Sequence, residues 1–129
     1  MDLDYPDHLN YFESHEYALL DDNLVTVGIT AYAVEKLGDI VFLNLPEVGS
    51  EVSRGEPFGA VESDRTIQEL ISPVSGIVQA INESLKTSSD RLMDDPYEEG
   101  WLIKVEIDDP SELEDGMTSE DYSDTFDPE

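Results

Sequence analysis

Gly55-Glu56-Pro57-Phe58-Gly59-Ala60-Val61-Glu62-Ser63-Asp64-Arg65-Thr66-Ile67-Gln68-Glu69-Leu70-Ile71-Ser72-Pro73-Val74-Ser75-Gly76 is the stretch that decides the fold. Two short apolar segments, Phe58 to Val61 and Ile67 to Ile71, flank the polar run Glu62-Ser63-Asp64-Arg65-Thr66. A polar interruption between two such segments is the pattern of a hairpin end. It predicts strands ending near Val61 and restarting near Ile67, with Arg65 at an exposed tip. Gly55 suits the turn before the hairpin, and Pro57 opens the rising strand where no inner donor is needed. After Ser72-Pro73, Val74 to Ile81 predicts another strand, with Gly76 as a bulge or a close backbone contact.

The same kind of pattern extends in both directions. The first ten residues are polar and contain Pro6, so an extended start is expected. Tyr11-Phe12 and Tyr17 to Leu20 read as short strands around the turn Ser14-His15-Glu16. Asp21-Asp22-Asn23 is a second turn. Val25, Val27 and Ile29 alternate with Leu24, Thr26 and Gly28, which is a strand with period two. Thr30 can cap a short helix over Ala31 to Leu37, stopped by Gly38 in the left-handed position. Ile40 to Leu45 is almost continuously apolar and reads as a buried strand, ended by Pro46. Val52 marks another short strand, between turns at Gly49 and Gly55.

Beyond the hairpin, Asn82 can cap a turn through Lys86, and Asp90 to Gly100 reads as a loop. Trp101, Ile103, Val105 and Ile107 share one strand face, which places Trp101 in the core. Asp109-Pro110 with Glu112 gives an N-cap, a proline at the first helical position and an acid three residues after the cap. Thr118 with Asp121 gives a weaker cap for a last helical turn through about Thr125. The sum is a mainly β chain: a small antiparallel β-sandwich, or barrel-sandwich hybrid, with short peripheral and C-terminal helices. One domain over 1–129, ending in an acidic tail from 108, fits the length.

Composition narrows the function. The 129 residues carry 32 acids and 6 bases, for a net charge of −26. Nucleic acid and anionic membranes need clustered Lys and Arg, so both are excluded as partners. The acidity has two readings, a solvated surface that keeps the chain soluble or steering toward basic enzyme partners. The last 22 residues hold ten acids and no base, so the tail is expected to respond to salt unless a helix docks it. With no cysteine there is neither a disulfide framework nor a thiolate metal site. No apolar run approaches the ~18 residues of a membrane helix, and the acidic start is unlike a signal peptide, so a cytoplasmic location is expected. His8 and His15 are too few for a zinc site and read as surface residues. Asp94, Asp95, Glu98 and Glu99 lack the spacing of a calcium loop. No phosphate loop, nucleotide-binding glycine fingerprint or nucleophilic triad is present.

Several segments together carry a resemblance. They are Ser14-His15-Glu16-Tyr17, Val27-Gly28-Ile29-Thr30, Leu37 to Phe42, Leu45-Pro46-Glu47-Val48-Gly49, Gly55 to Gly59, Val61-Glu62-Ser63, Ser72 to Gly76, and Asp95 to Leu102. In this order and spacing they resemble the H-protein family of the glycine cleavage system over nearly the whole chain. The resemblance implies a hybrid β-fold related to lipoyl and biotinyl domains, and a carrier, not an enzyme.

In that family a lysine at the hairpin tip carries lipoate, whose arm moves an aminomethyl group. The partners so implied are the pyridoxal-phosphate glycine decarboxylase, the folate-dependent aminomethyltransferase, dihydrolipoyl dehydrogenase and a lipoate ligase.

The family pattern after Glu62-Ser63 is a small or branched apolar residue, the lipoyl lysine, then usually alanine. Here Asp64, Arg65 and Thr66 stand instead. Arginine keeps the charge but, with a pKa above ~12, offers no neutral amine for acylation. No cofactor is therefore expected on this chain. Lys36, Lys86 and Lys104 are the only lysines, and none lies at a hairpin apex. Three readings stay open: a divergent H-like protein without lipoate, a lipoyl carrier whose site has been altered, and a binding or regulatory protein on the same scaffold.

Overall fold

A computed structural model describes residues 6, 9–87, 92, 95, 97, 99–107 and 109–126, with the backbone alone at 86, 87, 110 and 115. The expectations for the rest of the N-terminal ten residues, for Asp94, Pro96 and Glu98, and for the tail at 108 and 127–129 lie outside them.

In chain order the described elements begin with β1 (Asn10–Tyr11), β2 (Glu16–Asp21), β3 (Leu24–Ile29), α1 (Ala31–Leu37), β4 (Ile40–Asn44) and β5 (Glu51–Val52). The hairpin is β6 (Pro57–Ser63) and β7 (Ile67–Ile71), followed by β8 (Gly76–Ile81), α2 (Ser84–Thr87) and β9 (Ile103–Ile107). A 3-10 helix (Pro110–Asp115) and α3 (Ser119–Phe126) close the chain. One sheet has six strands in the order β1-β2-β3-β9-β8-β5 and the other three, in the order β4-β6-β7. The pairings within both sheets are antiparallel. The expected mainly β, lipoyl-domain-like sandwich is therefore the observed class.

Period-two alternation builds the core. Val25, Val27 and Ile29 from β3, Val78 from β8 and Ile103, Val105 and Ile107 from β9 are buried together with Leu43, Phe58, Val61 and Leu70 of the small sheet. Gly76 is where the β8 backbone meets β9: a Cβ there would come within 2.0 Å of the Glu106 carbonyl oxygen. Thr30 caps α1 by accepting from the Ala33 N–H. Gly38 ends the helix at φ 85° but ψ −149°, outside the left-handed helical region expected for it.

Two strand expectations need correction. Trp101 is half-buried, not core, and lies before β9, with Lys104 Nζ 5.0 Å from its ring centre. The ladder starts only at Ile103, so the alternation does not extend back to 101. Leu102, next to it and also before β9, is fully buried. The Ile40 to Leu45 run is not a buried strand either. Ile40 and Leu43 face the core, but Val41 is 59% and Phe42 58% exposed. Ile40 pairs with Ser63 and Phe42 with Glu62, so a bulge at Val41 turns two consecutive apolar residues to solvent.

A second cluster lies apart from the main core. Leu9, Tyr11, Tyr17 and Tyr122 are buried, with Tyr32, Tyr97, Met117 and Phe126 packed against them. Tyr17 lies across from Gly28, where any Cβ would collide with its ring at 2.5 Å. This cluster docks α3 and answers the open question about the tail. Thr118 Oγ1 accepts from the Asp121 N–H, so the C-terminal helix is capped as the spacing suggested, and it runs through Phe126.

Candidate functional site

The tip is tighter than its sequence suggested. Strand β6 continues through Glu62 and Ser63, and Glu62 pairs with Ile67. Only Asp64, Arg65 and Thr66 form the turn. The Ser63 N–H donates to the Thr66 carbonyl at 2.8 Å. The Ser63 hydroxyl accepts from the N–H groups of Arg65 and Thr66, each at 3.1 Å, and donates to the Thr66 carbonyl at 3.2 Å. One buried serine thus satisfies the turn's backbone and fixes where residue 65 leaves it. The sequence reading placed Ser63 in the polar run that flanks Arg65, and it is only 6% exposed. Glu62, Asp64, Arg65 and Thr66 are all exposed.

A second strap ties the tip to the end of α1. The Asp64 N–H donates to the Asp39 carbonyl at 2.9 Å. A Cβ on Gly38 would stand 3.0 Å from the Asp64 carboxylate and 3.1 Å from Arg65 Nε. Glycine at φ 85° therefore lets the Arg65 side chain lie close over the backbone.

Behind the hairpin sits Glu16, singled out in the sequence only as a turn residue. It is fully buried. Its Oε2 accepts from the Ile71 N–H at 3.1 Å, and its Oε1 accepts from the Ser14 hydroxyl. Ile71 ends β7, so this carboxyl ties the β1–β2 turn to the base of the tip hairpin. Burial raises its pKa to about 7, against the pull of the Ser14 and Ile71 hydrogen bonds. The neighbouring His15 turns at φ 73° and is held in the aromatic cluster, not on the free surface. Its Nδ1 meets the Tyr122 hydroxyl at 2.7 Å, and that hydroxyl meets Thr30 Oγ1 at 2.8 Å. Burial lowers the pKa of His15. Nothing local in the sequence marks Glu16 as an anchor, since its burial comes from pairing with Ile71.

Among the described residues, no group of three or more His, Cys, Asp or Glu side chains could hold a metal ion. Among them, too, no helix is long and apolar enough to cross a membrane.

A sequence model of the glycine cleavage H-protein matches residues 9–129. The chain belongs to that family. It is 51% identical over 123 residues to the glycine cleavage system H protein of Synechococcus sp. (strain JA-2-3B'a(2-13)), covering 95% of each chain. It is 48% identical over 122 residues to that of Nostoc punctiforme, again covering 95% of each. Among solved structures, the H protein of Mycobacterium marinum superposes with a TM-score of 0.86 at 38% identity, covering 94% of this chain and 98% of that one. H proteins are carriers, so the chain is of a non-catalytic, lipoyl-carrier type.

Proposed function

We propose that this protein is an H-like carrier scaffold of glycine cleavage that takes no lipoate at position 65 and acts by binding the enzymes that serve lipoylated carriers. The observation that carries the reading is the guanidinium at the tip of an otherwise family-like hairpin. The residues present do not fit a lipoyl amide. Forming that bond needs a neutral amine to attack an activated acyl group, and a guanidinium offers none. Asp64 adds a carboxylate where an apolar neighbour is usual for the family.

The lysines elsewhere are poor substitutes. Lys36 lies in the last turn of α1 with Nζ 5.3 Å from the Tyr32 ring centre. Lys104 sits within β9 over Trp101. Neither stands at a hairpin apex. No cysteine offers a thiol in place of the dithiol.

The partners consistent with this reading are the decarboxylase and the aminomethyltransferase of glycine cleavage. The acidic surface would speed encounter with basic docking faces and weaken as salt screens it. The test is a reconstituted glycine-cleavage assay driven by a lipoylated H protein, with this chain added in excess across a salt series. Inhibition that fades with salt, and no turnover when this chain is the sole carrier, is the expected outcome. Turnover by the unmodified chain, or no inhibition at any ionic strength, would overturn the reading.

A further inference from the structure

The far end of β4 leads to a groove of its own, away from the tip. Strand β4 pairs with Ser63 at its start, beside the tip, and with Ala60 at its other end. The chain then crosses to the larger sheet. There the Gly49 N–H donates to the Val78 carbonyl and the Val78 N–H to the Ser50 carbonyl, each at 2.8 Å. These bonds bring the preceding Glu47 and Val48 alongside β8. A bulge between Val78 and Ala80 leaves Gln79 exposed beside them. The result is a groove of about 440 Å3 lined by Glu47, Val48, Gln79, Ala80, Ile81 and Glu83. Its size falls in the lower part of the ~300–1,000 Å3 range of ligand sites. Val48 is 60% exposed, and Ala80 and Ile81 are only partly covered. Glu47 and Glu83 are both exposed.

We propose that this groove seats an arginine side chain from a basic segment of a partner protein. The inference goes beyond the proposed function, because it adds a docking point at the end of β4 opposite the tip. The lining selects the occupant. Val48, Ala80 and Ile81 offer an apolar bed for the methylene stem of a long basic side chain. Glu47, Glu83 and the Gln79 amide oxygen are acceptors for its head, and a guanidinium brings five donors in a fixed fork. Lys104 stands opposite Ala80 in β9, but its ammonium lies over the Trp101 ring, 5.0 Å from the centre, and does not line the groove. A second copy is a poor occupant. With 6 bases against 32 acids it would bring mostly like charge to the two carboxylates.

The test follows the amide resonances of the isotope-labelled full chain during titration with a blocked peptide, Ala-Leu-Arg-Leu-Ala. The same peptide with Gln in place of Arg is the control. Salt is held at ~0.15 M, where diffuse attraction is screened beyond ~8 Å. Shifts are expected at residues 47–50 and 79–83, with the tip at 62–67 unmoved and no shifts from the Gln peptide. Glu47→Gln with Glu83→Gln should weaken binding roughly fivefold, since exposed ion pairs contribute up to about 1 kcal/mol each. Val48→Ser should weaken it as well, and Glu62→Gln should leave it unchanged.

No shifts at 47–50 and 79–83 with the Arg peptide would overturn the groove. Shifts spread over exposed acids along the chain, or equal weakening by Glu62→Gln, would reduce the binding to net charge and refute a built site. Equal binding of the Gln peptide would refute the choice of a basic side chain. Binding that both the double variant and Val48→Ser leave unchanged would also refute it. The proposed function is tested separately by the glycine-cleavage assay, so either can fail alone.

Discussion

Phe42 and Tyr122 are both aromatic residues with acids nearby in the sequence, and they have opposite fates. Phe42 is 58% exposed on the face beside the tip, while Tyr122 is wholly buried on the inner side of α3. Around Tyr122 the rings are close: Tyr11 stacks at 5.1 Å, Phe126 lies at 5.0 Å and His15 at 5.9 Å. Its hydroxyl is bonded on both sides, to His15 and Thr30. Around Phe42 the backbone is also held by strand pairing, yet more than half of the side chain is open to solvent. The difference teaches that one region spends its aromatic residues on holding the chain's end to the sheet. The other keeps apolar surface open at the place where family members present their cofactor.

Substitutions in the two regions should therefore separate. Tyr122→Ala removes a buried ring and leaves His15 and Thr30 without their shared partner. Its expected cost is about 3–5 kcal/mol in urea unfolding. A loss below about 1 kcal/mol would mean that α3 is not docked as described.

Glu16 sharpens the contrast through pH. Its pKa rises from the ordinary 4.5 to about 7 in the fold because burial disfavours the charge. The folded chain then holds a proton that the unfolded chain releases. The stabilising contribution is complete below pH 4.5 and is lost as pH rises to about 7, a change of about 3 kcal/mol. Glu16→Gln keeps an acceptor for Ile71 and removes the titration. The stability difference between the two proteins should move by that amount across this window and flatten above it. His15 works in the opposite sense: its lowered pKa favours folding as pH rises. The comparison with Glu16→Gln cancels its effect. A difference that stays constant from pH 4.5 to 7.5 would contradict the buried, strained carboxyl.

Gly38→Ala should cost about 1–2 kcal/mol, since it forces a side chain to positive φ and against Arg65. It should also shift the backbone amide resonances of Asp64 and Arg65. Unmoved tip resonances would mean that the strap from α1 to the turn carries no position. The smallest effect is expected from Phe42→Ser, within about 0.5 kcal/mol, because the ring is already in water. A large loss there would show that the ring is part of the core.

The sequence made the sandwich legible because Val25, Val27, Ile29 and Ile103, Val105, Ile107 keep strict alternation on two paired strands. Parity failed where the ladder was interrupted. The bulge at Val41 and the late start of β9 depend on pairing with distant strands, and no local pattern encodes them. At the tip, the residue types Asp64, Arg65 and Thr66 were legible outright, because identity is what a sequence states. They did not reveal that Ser63 turns inward to hold the turn, since an exposed and a buried serine are written alike. Glu16 and His15 were readable as a turn, but not as the buried and the half-buried anchor they are. Their burial comes from Ile71 and Tyr122, 55 and 107 residues away.

The proposal that position 65 takes no lipoate rests on one chemical fact, the arginine that stands at the tip. Intact mass after incubation with lipoate ligase, ATP and lipoate tests it most directly, for the unchanged chain and for Arg65→Lys side by side. The account predicts no mass change for the unchanged chain and partial modification of Arg65→Lys, where Asp64 still flanks the new amine. A lipoyl increment on the unchanged chain would contradict it.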